Sequence, residues 1–395
     1  MKLNINHLAD QFIFWNLKKI SYGYLELVDS KGDKYCFGNK ESFLKANIKI
    51  NDSNFASKLL RKGSSGLGES YINNEFETND LPALIELSAR NINVTYKFSG
   101  LLKINFIEHI LNKIIFANTR ERSKKNISAH YDLGNEFFSV WLDKTLTYSC
   151  GIFNSTNESL ENAQINKYNK LIDLIKPKPG STLLEIGCGW GGFAEQISKN
   201  YDVKLDCITI SKGQYEFTSE KIKRLGLNHK VNIKLLDYRD VNKKYDNIIS
   251  IEMIEAVGEK YLSGYFNAIK KNLTTEGRAA IQSIVINDNL YDRYRTKEDF
   301  IQKFIFPGGF LPSLKSLKKL SSNSGLIIDS HNLYGEHYSN TLQRWRKRFL
   351  NSWQQISKQG FNMHFKNMWD FYLSYCEAGF KSKNIDLIQF SLCNK

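Results

Sequence analysis

The feature that most constrains this chain is an apolar stretch that runs directly into a glycine-rich turn. Leu183–Ile186 has the pattern of a β-strand, and Gly187, Gly189 and Gly191 follow it at alternate positions. Because glycine lacks a Cβ, the backbone of such a turn can pass close to a bound ligand. The acidic Glu185 can meet a cationic group there. The spacing E-x-G-x-G-x-G differs from the dinucleotide pattern G-x-G-x-x-G and does not predict NAD binding, although an ordinary strand-to-helix turn would also fit.

From about residue 165 onward, strand patterns alternate with helical segments. This alternation predicts the doubly wound parallel sheet of a Rossmann-like α/β domain. The expected strands are Thr182–Ile186, Leu205–Thr209, Val231–Leu235, Asn247–Ile251 and Ala279–Ile286.

The first 100 residues have a different pattern, typical of a small α+β module. Tyr22–Val28 and Lys34–Phe37 are predicted strands, Gly66–Tyr71 a turn and helix start, and Leu81–Leu87 the opening of another helix. We therefore predict three parts: a small domain over 1–100, an amphipathic linker helix over 101–127, and a larger domain over 128–395. The family resemblance given below implies that the first of them is lipid- or membrane-associated.

The segment 101–125 repeats apolar residues at helical spacing and ends in a basic cluster, Arg120–Lys125. A basic amphipathic helix can lie on an anionic membrane. A helix packed between two domains would have the same pattern, so both interpretations remain open.

The net charge, the apolar runs and the cysteines of the chain indicate which partners and which cellular compartment to expect. The net charge of +14 favours an anionic partner, either nucleic acid or an anionic membrane surface. No Arg/Gly-rich arm, recognition-helix pattern or aromatic RNA-binding motif supports nucleic acid. No apolar run reaches the roughly 18 residues of a membrane span, and Met1–Asp10 lacks a signal-peptide core. The six scattered cysteines predict neither disulfides nor a metal site, so a cytoplasmic location is expected.

Polar side chains follow three of the expected strands. Parallel strands end at one edge of a sheet, so these side chains are candidates for one ligand site, although helix capping would also explain several of them. Two carboxylates after the fourth strand can do acid/base or ligand-binding work, or form a charge pair at a helix start. The residues are Thr209, Ser211, Gln214, Asp237, Tyr238, Glu252 and Glu255.

The glycine turn resembles the first loop of S-adenosylmethionine (SAM)-dependent methyltransferases. The whole chain resembles the cyclopropane-fatty-acyl-phospholipid synthase family, which includes mycolic acid methyltransferases. Besides the glycine turn, the resemblance is carried by the segments Ala129–Phe138, Leu146–Cys150, Asp237–Asp240, Phe300–Gly309, His337–Leu342 and Tyr375–Phe380.

This resemblance implies a SAM-dependent methyltransferase with SAM bound at the carboxyl edge of the sheet. The residues expected to bind SAM are Tyr148, Ser149, Glu185, Gly187, Cys188, Gly189, Gly191, Thr209, Ser211, Gln214, Asp237 and Tyr238.

The resemblance further implies methyl transfer to a cis double bond in a phospholipid acyl chain. A carbocation forms, a base removes a proton from the new methyl group, and a cyclopropane ring closes. The implied base is a bound bicarbonate ion in a cage that maps onto Cys150, Glu255, Gln282, Tyr338 and the backbone at Ile284. Tyr338 can also stabilise the cation through its ring.

Cys376 matches a cysteine once proposed as the family's nucleophile. Direct attack by the alkene needs no enzyme nucleophile, so a buried cysteine of the core is the favoured interpretation. The implied partners are an unsaturated phospholipid in the bilayer, anionic lipid at the inner face of the membrane, and a second copy of the chain in a homodimer. A noncatalytic lipid- or nucleic-acid-binding protein is disfavoured by the intact glycine turn.

Two departures from the family pattern bear on the product. Many members read E-M-F-E-H-V-G where this chain has Ile254 and Ala256, and Gln282 stands at the histidine position of the cage. Glutamine donates a hydrogen bond but carries no positive charge. A methyl- or methylene-branched acyl chain is therefore an alternative to the ring.

Overall fold

The structure is a computed structural model that describes residues 5–95, 119 and 133–395. The predicted linker helix over 101–127, including its basic cluster, lies outside the described residues, as does Ala129–Asp132. The chain forms two compact units. The described part of unit 1 is 5–95, 292–305 and 353–384, and that of unit 2 is 119, 133–291, 306–352 and 385–395.

The strands of the described residues are β1 (Tyr24–Val28), β2 (Lys34–Gly38), β3 (Lys45–Ile50), β4 (Phe76–Glu77), β5 (Ser181–Ile186), β6 (Val203–Thr209), β7 (Val231–Leu235), β8 (Tyr245–Ile251), β9 (Leu273–Ile286), β10 (Leu326–Leu333) and β11 (Ile385–Asn394).

The α-helices of the same residues are α1 (Ile5–Leu17), α2 (Phe55–Ile72), α3 (Leu81–Arg90), α4 (Ile92–Thr95), α5 (Asn135–Trp141), α6 (Leu160–Ile175), α7 (Gly192–Asn200), α8 (Lys212–Arg224), α9 (Leu262–Asn272), α10 (Asp288–Tyr294), α11 (Phe300–Phe304), α12 (Leu314–Asn323), α13 (Gly335–Asn351), α14 (Trp353–Ser357) and α15 (Met363–Lys381).

Unit 1 contains a four-stranded sheet in the order β2-β1-β3-β4, with helices before, between and after its strands. The predicted α+β class and the strand pair around the turn at residues 29–33 are confirmed. The predicted start of α3 at Leu81 is also confirmed, and its cap is Asp80, whose carboxylate accepts from the backbone N–H of Ala83 at 3.0 Å.

The segment Gly66–Tyr71, expected as a turn and helix start, is helical throughout and belongs to the second of two helices that join at a kink to form α2. The irregular point of α2 lies earlier, at Gly63, whose φ is 56°. Gly68 serves close packing instead of a turn: a Cβ there would lie 2.2 Å from the ring of Phe300. Gly68 is therefore explained by a tertiary contact, and the local sequence pattern does not distinguish such a contact from a turn.

Two segments that the sequence analysis assigned to the domain over 128–395 group with unit 1 instead. The ring centroids of Phe300 and Phe371 are 4.5 Å apart, and the Tyr71 hydroxyl donates to Asp370 at 2.8 Å. These contacts join residues that are distant along the chain, so no local composition signal marks the boundary.

Unit 2 is built on a seven-stranded sheet in the order β10-β11-β9-β8-β5-β6-β7. The five predicted strands are confirmed as β5 to β9, and each pairs in parallel with its neighbour. Strands β10 and β11 add an antiparallel edge that the sequence analysis did not predict. The fold is the Rossmann-like α/β fold expected for a SAM-dependent methyltransferase.

The strand order brings the glycine turn and the two carboxylates together. Strands β5 and β8 are neighbours, and the chain continues from β5 to β6 on one side and from β8 to β9 on the other. Ligands of open α/β sheets bind at such a switch point, outside the carboxyl ends of the strands. Residues 187–191 follow β5 and residues 252–255 follow β8, so both loops lie at this edge.

Candidate active site

The glycine turn has the backbone conformation that its sequence predicted. Gly187, Gly189 and Gly191 have φ values of 82°, 52° and 75°. A Cβ on Gly191 would lie 2.7 Å from a methyl carbon of Thr218, whereas a Cβ on Gly189 would meet no protein atom within 4 Å. The Thr218 hydroxyl donates to the Gly189 carbonyl at 2.9 Å. Gly189 therefore faces open space, which a ligand can fill, and Thr218 fixes the turn, a role that the sequence analysis missed.

Glu185 is buried at the end of β5, where its Oε2 accepts a hydrogen bond from the Cys207 thiol at 3.2 Å. Burial raises the pKa of this carboxyl to about 8. A cationic ligand nearby would favour the ionised form and offset the desolvation. This environment fits a cationic group, which the sequence predicts at Glu185.

The residues after β6 and β7 are held by capping contacts. The Thr209 hydroxyl donates to Gln214 Oε1 at 2.9 Å, and Ser211 caps α8 by accepting from the backbone N–H of Gln214 at 3.3 Å. Asp237 caps the 3₁₀ turn Tyr238–Asp240 by accepting from the backbone N–H of Arg239 at 3.0 Å. Helix capping and cofactor binding, the two interpretations that the sequence left open, can coexist at these residues. Their cofactor role stays a prediction.

The segment before Cys150 is anchored by buried side chains of α6. Lys167 Nζ donates to Ser149 Oγ at 2.7 Å, and Gln164 Nε2 donates to the Ser149 carbonyl at 2.8 Å. Tyr148 packs against Trp345, with ring centroids 5.3 Å apart. The sequence analysis missed Lys167, although it lies at core-facing helical spacing from Leu160, Ala163 and Leu171.

Glu252 lies at the centre of a buried polar cluster. Its Oε1 accepts from the backbone N–H of Cys150 at 2.9 Å and from Gln282 Nε2 at 2.7 Å. Its Oε2 accepts from the Tyr338 hydroxyl at 2.5 Å. The structure thus brings together Cys150, Gln282 and Tyr338 as predicted for the cage, but it engages all three with a side-chain carboxylate. These residues therefore do not fit an added bicarbonate ion.

Glu255 lies beside this cluster in a 3₁₀ turn, Ile254–Ala256. Its Oε1 accepts from the backbone N–H of Ile284 at 2.5 Å. Its Oε2 is buried and has no hydrogen-bond partner among the described residues. Burial, and then the negative charge of Glu252, raise the pKa of Glu255 to about 8. Glu255 therefore holds its proton near neutral pH.

The cluster and the glycine turn are in contact. A Cβ on Gly187 would lie 3.1 Å from Cγ of Met253, which follows Glu252 directly. With the open space at Gly189 and the buried acid at Glu185, the chain offers an unobstructed turn and an acid for the cationic part of SAM. The residues fit SAM, which would bind at the same edge of the sheet as Glu252 and Glu255.

Cys376 lies on α15, which belongs to unit 1. Burial raises the pKa of its thiol well above its usual value. A raised pKa keeps the side chain as the thiol, whereas a nucleophile needs the thiolate. Its described environment therefore favours a packing role, and a chemical role stays a prediction.

The helix α13 carries a basic run, Arg344–Arg348, and two of its guanidinium groups bind backbone carbonyls within unit 2. Arg344 donates to the carbonyl of Thr156 at 3.0 Å, and Arg348 donates to that of Leu142 at 3.1 Å. No helix in the described residues is long and apolar enough to cross a bilayer.

The chain matches known proteins over most of its length. Residues 118–390 match the family described as Mycolic acid cyclopropane synthetase. The cyclopropane-fatty-acyl-phospholipid synthase of Escherichia coli is 33% identical over 347 residues, covering 87% of each chain. The tuberculostearic acid methyltransferase UfaA1 of Mycobacterium tuberculosis is 33% identical over 354 residues, covering 85% of this chain and 80% of its own.

The solved structure of the mycolic acid cyclopropane synthase CmaA1 complexed with SAH and CTAB has a TM-score of 0.64. It is 27% identical and covers 69% of this chain and 98% of its own. The family match spans more than half of the chain and includes the glycine turn, the carboxylates after β8 and Tyr338. The chain therefore belongs to the mycolic acid cyclopropane synthetase family and is a SAM-dependent methyltransferase.

Proposed function

We propose that the protein transfers the methyl group of SAM to a cis double bond of an unsaturated phospholipid acyl chain and closes a cyclopropane ring. The observation that carries this proposal is the buried carboxylate cluster beside the glycine turn, with Met253 in contact distance of Gly187. A group that receives a proton from a carbocation must lie next to the point of methyl delivery. This arrangement meets that requirement.

SAM supplies an electrophilic methyl group at this edge of the sheet. The protein's own residues then have three tasks: to orient the cofactor, to hold a proton acceptor in one place, and to keep water away from the cation. Cys150 and Gln282 are fully buried and Tyr338 is 7% exposed, so the groups that surround the half-buried Glu252 are shielded from solvent. The hydroxyl of Tyr338 is bound to Glu252, which fixes its ring at the cluster, where its face can stabilise positive charge.

Coverage by the relatives supports a phospholipid acyl chain as substrate. The E. coli phospholipid synthase matches 87% of this chain, whereas a Mycobacterium bovis cyclopropane mycolic acid synthase 2 matches 67%. The longer match extends beyond the family region at 118–390, so part of unit 1 is shared with the phospholipid enzyme. A bilayer substrate requires a protein that docks on the membrane, and unit 1 is the candidate for this task.

Exposed aromatic residues of unit 1 support docking at the inner face of the membrane. Phe43 is fully exposed, and Trp15 is 58% exposed. Lys19 lies over the Trp15 ring, with Nζ 2.9 Å from its centroid. Aromatic rings with neighbouring cations are typical of side chains that enter the interface of an anionic bilayer. We therefore propose a peripheral location, with anionic lipid as a partner.

A methylene- or methyl-branched acyl chain is the second candidate product. It is favoured by the 33% identity to the tuberculostearic acid methyltransferase UfaA1 and by the neutral Gln282 in the cluster. Both products begin with the same methyl transfer. They differ in which C–H bond the base breaks, or in a later reduction.

The test is lipid mass spectrometry after expression in a bacterial host that lacks its own cyclopropane synthase. We expect unsaturated phospholipid acyl chains to gain the mass of one CH₂. A saturated methyl branch would instead add the mass of CH₄. Catalytic hydrogenation of the released fatty acids distinguishes the other two products, because an exocyclic methylene takes up hydrogen under mild conditions and a ring does not.

A matching assay uses purified protein, SAM and vesicles of unsaturated phospholipid. Unchanged acyl chains in both experiments, with SAM binding intact, would reject the phospholipid proposal. A gain of CH₂ only on free fatty acids would move the substrate to another lipid class.

A further inference from the structure

We propose that the Glu252 carboxylate is itself the base of the reaction, in the position that a bound bicarbonate ion would need, so that the enzyme works without bicarbonate. This inference rests on the proposed methyl transfer to an alkene. It assigns a catalytic role to a residue that the sequence analysis named only as one of two carboxylates after β8.

Three of the four donors of the expected anion cage are directed at Glu252, and the fourth, the backbone N–H of Ile284, donates to Glu255. The backbone N–H of Cys150 and the amide of Gln282 donate to Oε1, at 2.9 and 2.7 Å, and the hydroxyl of Tyr338 donates to Oε2 at 2.5 Å. A carboxylate and a bicarbonate ion both present two oxygens on one planar carbon. An incoming bicarbonate would therefore have to displace a group of the same shape and charge that is already tethered.

The orientation of Gln282 is set by its own neighbours. Gln389 Nε2 donates to Gln282 Oε1 at 2.8 Å, so the amide of Gln282 presents its NH₂ group to Glu252. Strands β9 and β11 place the two glutamines opposite each other. Gln389 therefore fixes the orientation of the Gln282 amide, and its NH₂ group is directed at the carboxylate of Glu252, an anionic acceptor.

The backbone at Glu252 is unusual. Its φ is 49°, a left-handed conformation that favours glycine, and its N–H donates to the Gln282 carbonyl at 2.8 Å. Backbone strain of this kind persists where the surroundings impose it, and it is concentrated at functional sites. Here it turns the carboxylate at the end of β8 toward Cys150 and Tyr338.

The charges around Glu252 favour one negative charge at this position. The elements packed against it bring Glu255, Tyr338 and Cys150, and α6 brings the buried Lys167, whose ammonium stabilises the ionised carboxylate. Burial raises the pKa of Glu252, which makes it a stronger base than a carboxylate in water. Glu255, with its pKa of about 8, remains protonated beside it near neutral pH.

The step balances without any further reactant. The π electrons of the alkene form a bond to the methyl carbon while the electron pair of the S–CH₃ bond stays on sulfur, which leaves a carbocation. Glu252 accepts a proton from the new methyl group, and the electron pair of that C–H bond closes the ring. Loss of the proton to form an exocyclic double bond would use the same base. The Glu252 carboxyl group then releases its proton to solvent.

The experiment measures product formation on unsaturated phospholipid vesicles in buffer freed of carbon dioxide, with and without added bicarbonate. The wild-type rate should be the same in both buffers. Glu252→Gln keeps the shape of the side chain but cannot accept the proton, so its rate should fall by about 10²–10⁴-fold, with no recovery in bicarbonate.

Glu252→Gly removes the side chain and leaves space for an anion between the three donors. The backbone conformation at position 252 suits glycine. This variant should lose activity to the same extent in bicarbonate-free buffer and recover part of it when bicarbonate is added. The double variant with Gln282→His should recover more, because a protonated imidazole adds charge to the anion site. SAM affinity, measured by calorimetry, should be nearly unchanged in all variants, which excludes unfolding as the cause.

A wild-type rate that depends on bicarbonate would overturn the inference, as would full activity of Glu252→Gln. Activity of Glu252→Gly in bicarbonate-free buffer would also overturn it. Failure of the proposed function is a different result: the wild type would then give no methylated phospholipid in either buffer.

Discussion

The ammonium group of Lys167 donates a hydrogen bond to the Ser149 hydroxyl over 2.7 Å, and both side chains are buried. A hydroxyl that accepts from an ammonium is left with its own hydrogen to donate elsewhere. At the edge of the predicted SAM site, that hydrogen and the charge behind it suit an anionic group, such as the carboxylate of SAM. Lys167 is therefore a candidate positioning residue for the cofactor.

The first prediction concerns this pair. Lys167→Met should weaken SAM binding by roughly 10-fold or more, since charge-assisted hydrogen bonds contribute about 1.5–3 kcal/mol. Burial lowers the pKa of Lys167 to about 8, so the advantage of the wild type over Lys167→Met in SAM affinity should shrink as the pH rises through that value. Calorimetric titration with SAM across this range tests both points. Lys170→Met, on the same helix but only partly buried, is the control, and a parallel loss in both variants would reject the role of Lys167.

The second prediction concerns Gly189. Valine at this position extends into space that no protein atom occupies, so Gly189→Val should abolish measurable SAM binding while the fold is retained. Gly226→Val is the matched control, because Gly226 also has a positive φ, 69°, and open space around it, but lies in the turn after α8. Calorimetry and circular dichroism give the two measurements. Unchanged SAM affinity in Gly189→Val would contradict the assignment of the glycine turn.

The third prediction concerns stability and the protonation of Glu255. Its pKa is about 8 in the folded protein and close to the ordinary value of 4.5 in an unfolded chain. Between these values the folded state keeps a proton that the unfolded state has released, so rising pH destabilises the fold. The slope is at most about 1.4 kcal/mol per pH unit for this one group.

Glu255→Gln removes this titration and should be increasingly more stable than the wild type from about pH 5 to about pH 8. Melting temperatures from scanning calorimetry at several pH values test the difference. Comparison with the wild type is needed because Glu185, also with a pKa of about 8, adds a slope of the same sign in both proteins. A pH-independent difference between the two melting temperatures would show that Glu255 titrates normally.

The fourth prediction concerns the exposed aromatic residues of unit 1. Phe43→Ser and Trp15→Ala should each reduce sedimentation with anionic vesicles several-fold, because each removes apolar surface that can enter the bilayer interface. Leu235→Ser, which changes an exposed residue of unit 2, should have little effect. High salt should weaken binding of all variants by screening nearby lysines. Equal sedimentation of Phe43→Ser and wild type would remove Phe43 from the docking surface.

The strands that build the site could be predicted because their signals are local. Alternation of apolar residues, three glycines at alternate positions and polar residues after each strand are all contained in short segments, and β5 to β9 are found where these patterns lie. Local patterns gave a wrong prediction where a glycine is required by a contact with a distant residue. Gly68 is an example, because the absence of a side chain there makes room for Phe300. They also failed for α11 and α15, whose grouping with unit 1 depends on contacts between distant segments.

By itself, the sequence determined the methyltransferase fold, the glycine turn and the candidates Cys150, Gln282 and Tyr338. Only the tertiary structure decided that Glu252 is the group they surround. Tyr338 and Cys150 are 86 and 102 residues away from it, and Gln282 reaches it because β8 and β9 pair in parallel with Ile251 opposite Gln282. Hydrogen bonds of this kind depend on strand register and on one left-handed residue at a strand end. Neither leaves a periodic trace in the sequence, because each is fixed by packing against partners far along the chain.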